Sequence, residues 1–143
     1  MEKECLFDAL GGYETLRRVH KVFYGKVYAH SWLKQFFDGH NQEFIENQQT
    51  DFMAEKMGGP KVYRGKAPDY AHLHMYITQE LYHVRQALLK EASGEVGVRS
   101  DLIERWLRID DAFSKQIINP SLDAFHAEYT YKTRIIIPKP QDV

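Results

Sequence analysis

Leu16, Val19, Phe23 and Val27 recur three or four residues apart, and no other feature of the chain restricts its fold as much. At 3.6 residues per turn that spacing lines side chains along one face of a helix, whereas a half-buried strand needs a period of two. It predicts a first helix over residues 13–30, then a short helical turn over 31–37 that ends in two phenylalanines. A second helix is expected over 42–57, with Phe44, Ile45, Phe52 and Met53 on one side, stopped by Gly58-Gly59-Pro60. Residues 61–69 read as irregular, and a short turn follows over 70–75. Thr78 is a suitable cap for a third helix to about Glu91, with Ser93-Gly-Glu-Val-Gly as a loop after it. Ser100 is expected to cap a fourth helix to about Ile118, ended by Asn119-Pro120. Strand propensity is confined to the tail, where residues 129–137 are rich in aromatic and β-branched side chains. The fold class is therefore all-α, with the tail packed along the outside or paired with another molecule, because an isolated strand leaves its backbone groups unpaired.

A chain of 143 residues with 43% apolar content is the size of one domain and can build a core. Its net charge of −1 gives no reason to expect nucleic acid or an anionic membrane as partner. Cys5 is the single cysteine, so no internal disulfide can form and a reducing compartment suits the chain. The first residues are charged and lack the apolar run of a signal peptide, and no stretch is long and apolar enough to span a membrane. A cytoplasmic protein is the expectation.

There is no phosphate-binding glycine loop, no paired-cysteine zinc site and no His-Glu-x-x-His motif. What stands out is polar residues set into apolar helix faces. Gln49 follows Ile45 by four residues and precedes Phe52 by three. A buried amide without partners costs about 1–3 kcal/mol, so Gln49 must meet a ligand, another side chain, the backbone or water. Gln48 serves equally well if the helix is rotated slightly. Tyr24 lies beside Phe23; its ring suits a core, while its hydroxyl seeks a partner inside or at the surface. His72 and His74 precede the third helix and can be surface residues, metal ligands or acid–base groups.

As an ordered set, these residues resemble the truncated haemoglobins, the two-over-two globins, most nearly those of group I. The resemblance runs from Phe7 to Leu89 and is carried by Leu10-Gly11-Gly12, Phe23-Tyr24, Phe36-Phe37, Gln48-Gln49, Gly58-Gly59-Pro60, Tyr63, Gly65, His72 and Ile77-Thr78. It implies a globin domain over 1–120 that folds as a two-over-two helical sandwich around haem b, with a C-terminal extension over 121–143. It further implies His72 as the proximal iron ligand and Tyr24 and Gln49 as residues facing the bound gas. Phe37 would pack on the haem plane, Ile45 would stand at the distal gate, and Tyr63 would lie near a propionate. Gln48 and Ile77 would border the cofactor, and Phe23, Phe52 and Met53 can line a slot for a flat apolar disc. Arg85 departs from the family pattern, standing where an apolar residue or a tryptophan is expected; its charge can reach the distal pocket, a propionate or solvent.

The function implied is binding of dioxygen, nitric oxide or carbon monoxide. Oxygen storage or transport, nitric oxide dioxygenation, peroxidase-like chemistry and sensing all fit that frame. Turnover would need a separate reductase, since the chain carries no flavin or nicotinamide domain. The alternative is an interaction globin whose tail contacts a partner or a second copy, with haem absent or only structural.

Overall fold

Leu6 and Leu10, one helical turn apart, are the buried side of a short helix that the periodicity did not single out, α1 (Leu6–Leu10). The computed structural model describes residues 4–63, 75–113, 117–119, 121–122, 125 and 135–143. Gly11 ends α1 at a φ of 103°, a left-handed turn that suits glycine, and the chain enters α2 (Gly12–Ala29). A 3-10 turn (Leu33–Phe37) follows. Asn41 then caps α3 (Gln42–Lys56), its side chain accepting from the Phe44 amide at 2.9 Å. Gly58-Gly59 ends α3 for a packing reason: a Cβ on Gly59 would meet the Phe7 ring at 2.7 Å and the Ala54 carbonyl at 2.9 Å. These glycines let the end of α3 close against α1, where the Phe7 amide donates to the Met57 carbonyl at 3.1 Å.

Thr78 caps α4 (Gln79–Val96) as expected, accepting from the Leu81 amide at 3.1 Å. The helix runs past the predicted stop at Glu91. Ala92 and Ser93 are buried, and the Ser93 hydroxyl donates back to the Leu89 carbonyl, so the expected loop is a further turn of helix that ends at Gly97. Packing outweighs the propensity of one glycine, Gly94. The last helix, α5 (Ser100–Ala112), is shorter than predicted, and Arg99 rather than Ser100 holds its N-cap position.

Helix α2 is the centre of the molecule, packed on α3 on one side and on α4 on the other; α4 also packs on α5, and α1 sits against α2 and α5. Two helix pairs thus lie one over the other, with a core of Leu16, Val19, Phe23, Val27, Met53, Leu81, Leu89 and Trp106 between them. No strand occurs among the described residues. The tail contributes one parallel bridge, Met75 to Ile135.

Candidate functional site

Helix α3 carries two distinct faces. Thr50, Met53, Ala54 and Met57 are buried together, while Ile45, Gln49 and Phe52 share a second face roughly a third of a turn away. The expectation of one apolar side containing Phe44, Ile45, Phe52 and Met53 is corrected accordingly. Phe44 is 63% exposed, and Phe52 and Met53, as chain neighbours, point in directions about 100° apart. Ile45, Gln48 and Gln49 are half-buried, and among the described residues neither amide has a hydrogen-bond partner. Phe52 meets Tyr63 at 5.0 Å and Phe113 at 5.3 Å between ring centres.

Tyr24 stands on α2, one turn after His20. Its ring meets Phe23 at 4.8 Å and Phe37 at 5.9 Å, both edge-on, and Phe37 also meets Tyr28. The residue is buried, yet its hydroxyl has no hydrogen-bond partner among the described residues. Burial, the largest influence, pushes its pKa well above the usual phenol value, so the group stays protonated and keeps a proton to donate.

One turn earlier on α2, the polar groups are paired within the protein, apart from the buried Trp106 indole N–H, which has no partner among the described residues. His20 is buried, and its Nδ1 lies 2.8 Å from the Thr50 hydroxyl, which ties α2 to α3. Burial, aided by the Arg85 cation and opposed by Asp110, lowers its pKa to about 3, so it is neutral at ordinary pH. The Trp106 ring stands edge-on to it at 5.6 Å. Arg85, on α4, is held by a partner that the sequence reading did not weigh. Its Nη1 donates to both oxygens of Asp110 at 2.9 and 2.8 Å, and its guanidinium lies over the Phe23 ring at 5.5 Å. Tyr82 donates to the same carboxylate at 3.0 Å. Burial alone would weaken the guanidinium's charge, but Asp110 more than offsets it and the pKa is raised. The signal was present: Asp110 follows Trp106 by four residues on the apolar face of α5, where a carboxylate demands a cation.

Phe23, Tyr24 and Phe37 are therefore brought together, as are Phe52 and Tyr63. Met53 packs on the core side of α3. Ile77 is buried just ahead of α4, its amide donating to the Asn119 side chain at 3.1 Å and its carbonyl accepting from the Asn119 amide at 2.7 Å. His72, His74, Gly65 and Pro68 lie outside the described residues.

Residues 5–119 match the family described as bacterial-like globin. The chain is 31% identical over 106 residues to the group 1 truncated haemoglobin GlbN of Mycolicibacterium paratuberculosis, covering 74% of this chain and 78% of that one. This chain is a group I truncated haemoglobin. The group 1 truncated haemoglobin of Tetrahymena thermophila is 32% identical over 102 residues, or 71% of this globin and 84% of its own length. The crystal structure of the truncated haemoglobin from Tetrahymena pyriformis in its Fe(III) form superposes with a TM-score of 0.77 at 27% identity, covering 81% of this chain and 99% of that one. The group II truncated haemoglobin of Bacillus anthracis, at 21% identity and a TM-score of 0.73, shares the fold. The globin's cofactor is haem b, and its family function is haem-based binding of a diatomic gas such as oxygen. The residues present fit that group: aromatic rings at Phe23, Phe37 and Phe52, a neutral hydroxyl at Tyr24 without a partner among the described residues, and the half-buried amides of α3. Among the described residues, no helix is long and apolar enough to cross a membrane.

Proposed function

We propose that this globin binds dioxygen reversibly, with His72 as the proximal ligand and with Tyr24 and Gln49 as the hydrogen-bond donors on the opposite side. The observation that carries the reading is the Tyr24 hydroxyl, which sits on a buried residue, keeps its proton, has no partner among the described residues and is not fully enclosed by protein. When bound, haem would supply an iron able to take up a diatomic molecule. The rest is supplied by the chain. Phe37 and Phe23 fix the Tyr24 ring from two sides, so its hydroxyl is pre-aimed at little entropic cost. Gln49 adds a second donor from α3, and Ile45, one turn earlier, presents an apolar surface at the entrance. Gln48, Ile77, Phe52 and Tyr63 border the cofactor in this reading. Arg85 acts only as part of the frame, through Phe23.

Support comes also from the Tetrahymena pyriformis structures, which include variants of one tyrosine and, separately, of two glutamines. The tyrosine and one of those glutamines are as far apart in sequence as Tyr24 and Gln49 are here; by the same spacing the other falls at Ile45. This globin thus offers one amide on α3 at those two positions and fills the other with an aliphatic side chain. We further read residues 1–120 as the globin domain, since the family match ends at residue 119, and 121–143 as an extension. The single cysteine, Cys5, suits a cytoplasmic setting.

Absorption spectra of the ferric, ferrous and ferrous–carbon monoxide forms of the wild type and His72→Ala test the assignment. A sharp Soret band in the wild type that is mostly lost in His72→Ala is expected. Loss in His74→Ala instead would shift the ligand by two residues, and a colourless wild type that resists haem loading would remove the reading.

A further inference from the structure

The tail of this globin does not stand free. Ile135 and Ile137 are half-buried against the core and Ile136 is 40% exposed, the alternation of an extended segment laid on a surface. The Tyr76 amide donates to the Ile135 carbonyl at 2.8 Å, and the Trp32 indole Nε1 donates to the Ile137 carbonyl at 3.1 Å. The Ser31 hydroxyl donates to Asp142 at 3.0 Å, and Lys139 pairs with Glu80 at the start of α4. Ile137 also lines a surface hollow with Tyr28 and Phe37. The tail therefore bridges two separate stretches. One is Ser31-Trp32, which leads into the 3-10 turn bearing Phe37; the other is Met75–Ile77, which begins three residues after His72. Asn119 grips the same stretch through both polar groups of Ile77's backbone. All of the tail lies beyond the family match.

We propose that residues 135–143 are an intramolecular strap that positions the chain just after His72 and so sets how tightly haem is held. The physical reason is that an isolated extended segment ahead of a helix has few restraints of its own; the strap supplies it with the Tyr76–Ile135 backbone hydrogen bond, and the Trp32 indole and the Lys139–Glu80 pair hold the strap itself in place on either side. The inference rests on the reading of His72 as the proximal ligand.

The test uses the full-length, haem-loaded protein as wild type, Ile137→Asp, Lys139→Glu, and Lys139→Glu combined with Glu80→Lys. Three quantities are read: hydrogen exchange at the Tyr76 amide, haem transfer to excess apomyoglobin, and the iron–histidine stretching band of the ferrous form. Ile137→Asp should deprotect the Tyr76 amide, shift the band and speed haem loss about tenfold, the scale on which outer-shell contacts tune a metal site. Lys139→Glu should speed haem loss about twofold, as befits an exposed pair, and the added Glu80→Lys should reverse the change. Haem loss and band unchanged in Ile137→Asp, whether or not Tyr76 is deprotected, would overturn the strap. His72→Ala separates the two failures. If it keeps its Soret band, the ligand reading falls; if it loses haem while the strap variants behave as wild type, only the strap falls.

Discussion

His20 and Tyr24 lie one turn apart on the same helix and are both buried, but their polar groups are treated in opposite ways. His20 is satisfied from within, by Thr50 across the α2–α3 contact, and is surrounded by the Arg85–Asp110 pair and the edge of Trp106. Tyr24 lies against Phe23 and Phe37 with its hydroxyl left over, and the glutamines of α3 likewise have no partner among the described residues. Buried polar groups cost stability unless paired. The closed half therefore holds the molecule together, and the open half keeps donors available for something that is not protein. Changes in the two halves should separate cleanly into effects on stability and effects on ligand binding.

The largest expected effect is in the closed half. Asp110→Ala strands a guanidinium that is only 24% exposed and should cost about 3 kcal/mol in denaturant unfolding, while Arg85→Met with Asp110→Leu should return to within about 1 kcal/mol of wild type. A cost for the single variant no larger than that of a surface change would remove Arg85–Asp110 from the core account. Next comes pH. His20 has a folded pKa of about 3, below its unfolded value of 6.5, so the unfolded chain takes up the proton first and stability falls as pH drops through that window. Between pH 6.5 and 5 this term should cost roughly 1.5–2 kcal/mol, and His20→Gln should flatten that part of the profile. Thr50→Val, which removes the partner of His20, should cost about 1–2 kcal/mol and leave dioxygen release unchanged. At the small end, Gln49→Leu should alter unfolding by no more than about 0.5 kcal/mol but speed dioxygen release. A destabilised Gln49→Leu with wild-type ligand kinetics would place Gln49 in the closed half.

Much of this division was legible in the sequence. The 3.6-residue period located α2, and the capping residue Thr78 located the start of α4. Gln49 and Tyr24 showed themselves as polar residues in apolar stripes. Which stripe a residue serves was not legible, because α3 buries two faces and a one-sided pattern cannot describe it; Phe44, grouped with Ile45 and Phe52, is on neither face and is exposed. The place of Asp110 on an apolar face showed that it needs a cation, but not that the cation is Arg85, which comes from another helix. The length of α4 depended on Ala92 and Ser93 packing inward, which overrides the local weakness of Gly94. The docking of the tail depends on Trp32 and Tyr76, donors whose acceptors are backbone carbonyls and so leave no mark in residue identity.

The most direct test of the open half is the release of dioxygen and of carbon monoxide from Tyr24→Phe, measured by stopped flow beside the wild type. The substitution keeps the ring between Phe23 and Phe37 and removes only the hydroxyl. Bound dioxygen carries partial negative charge and accepts a hydrogen bond, whereas bound carbon monoxide carries less. A donated bond worth about 1–1.5 kcal/mol should make dioxygen release about tenfold faster and change carbon monoxide release by less than about twofold. Equal changes for the two gases, or none for dioxygen, would contradict the claim that the Tyr24 hydroxyl is held for the ligand.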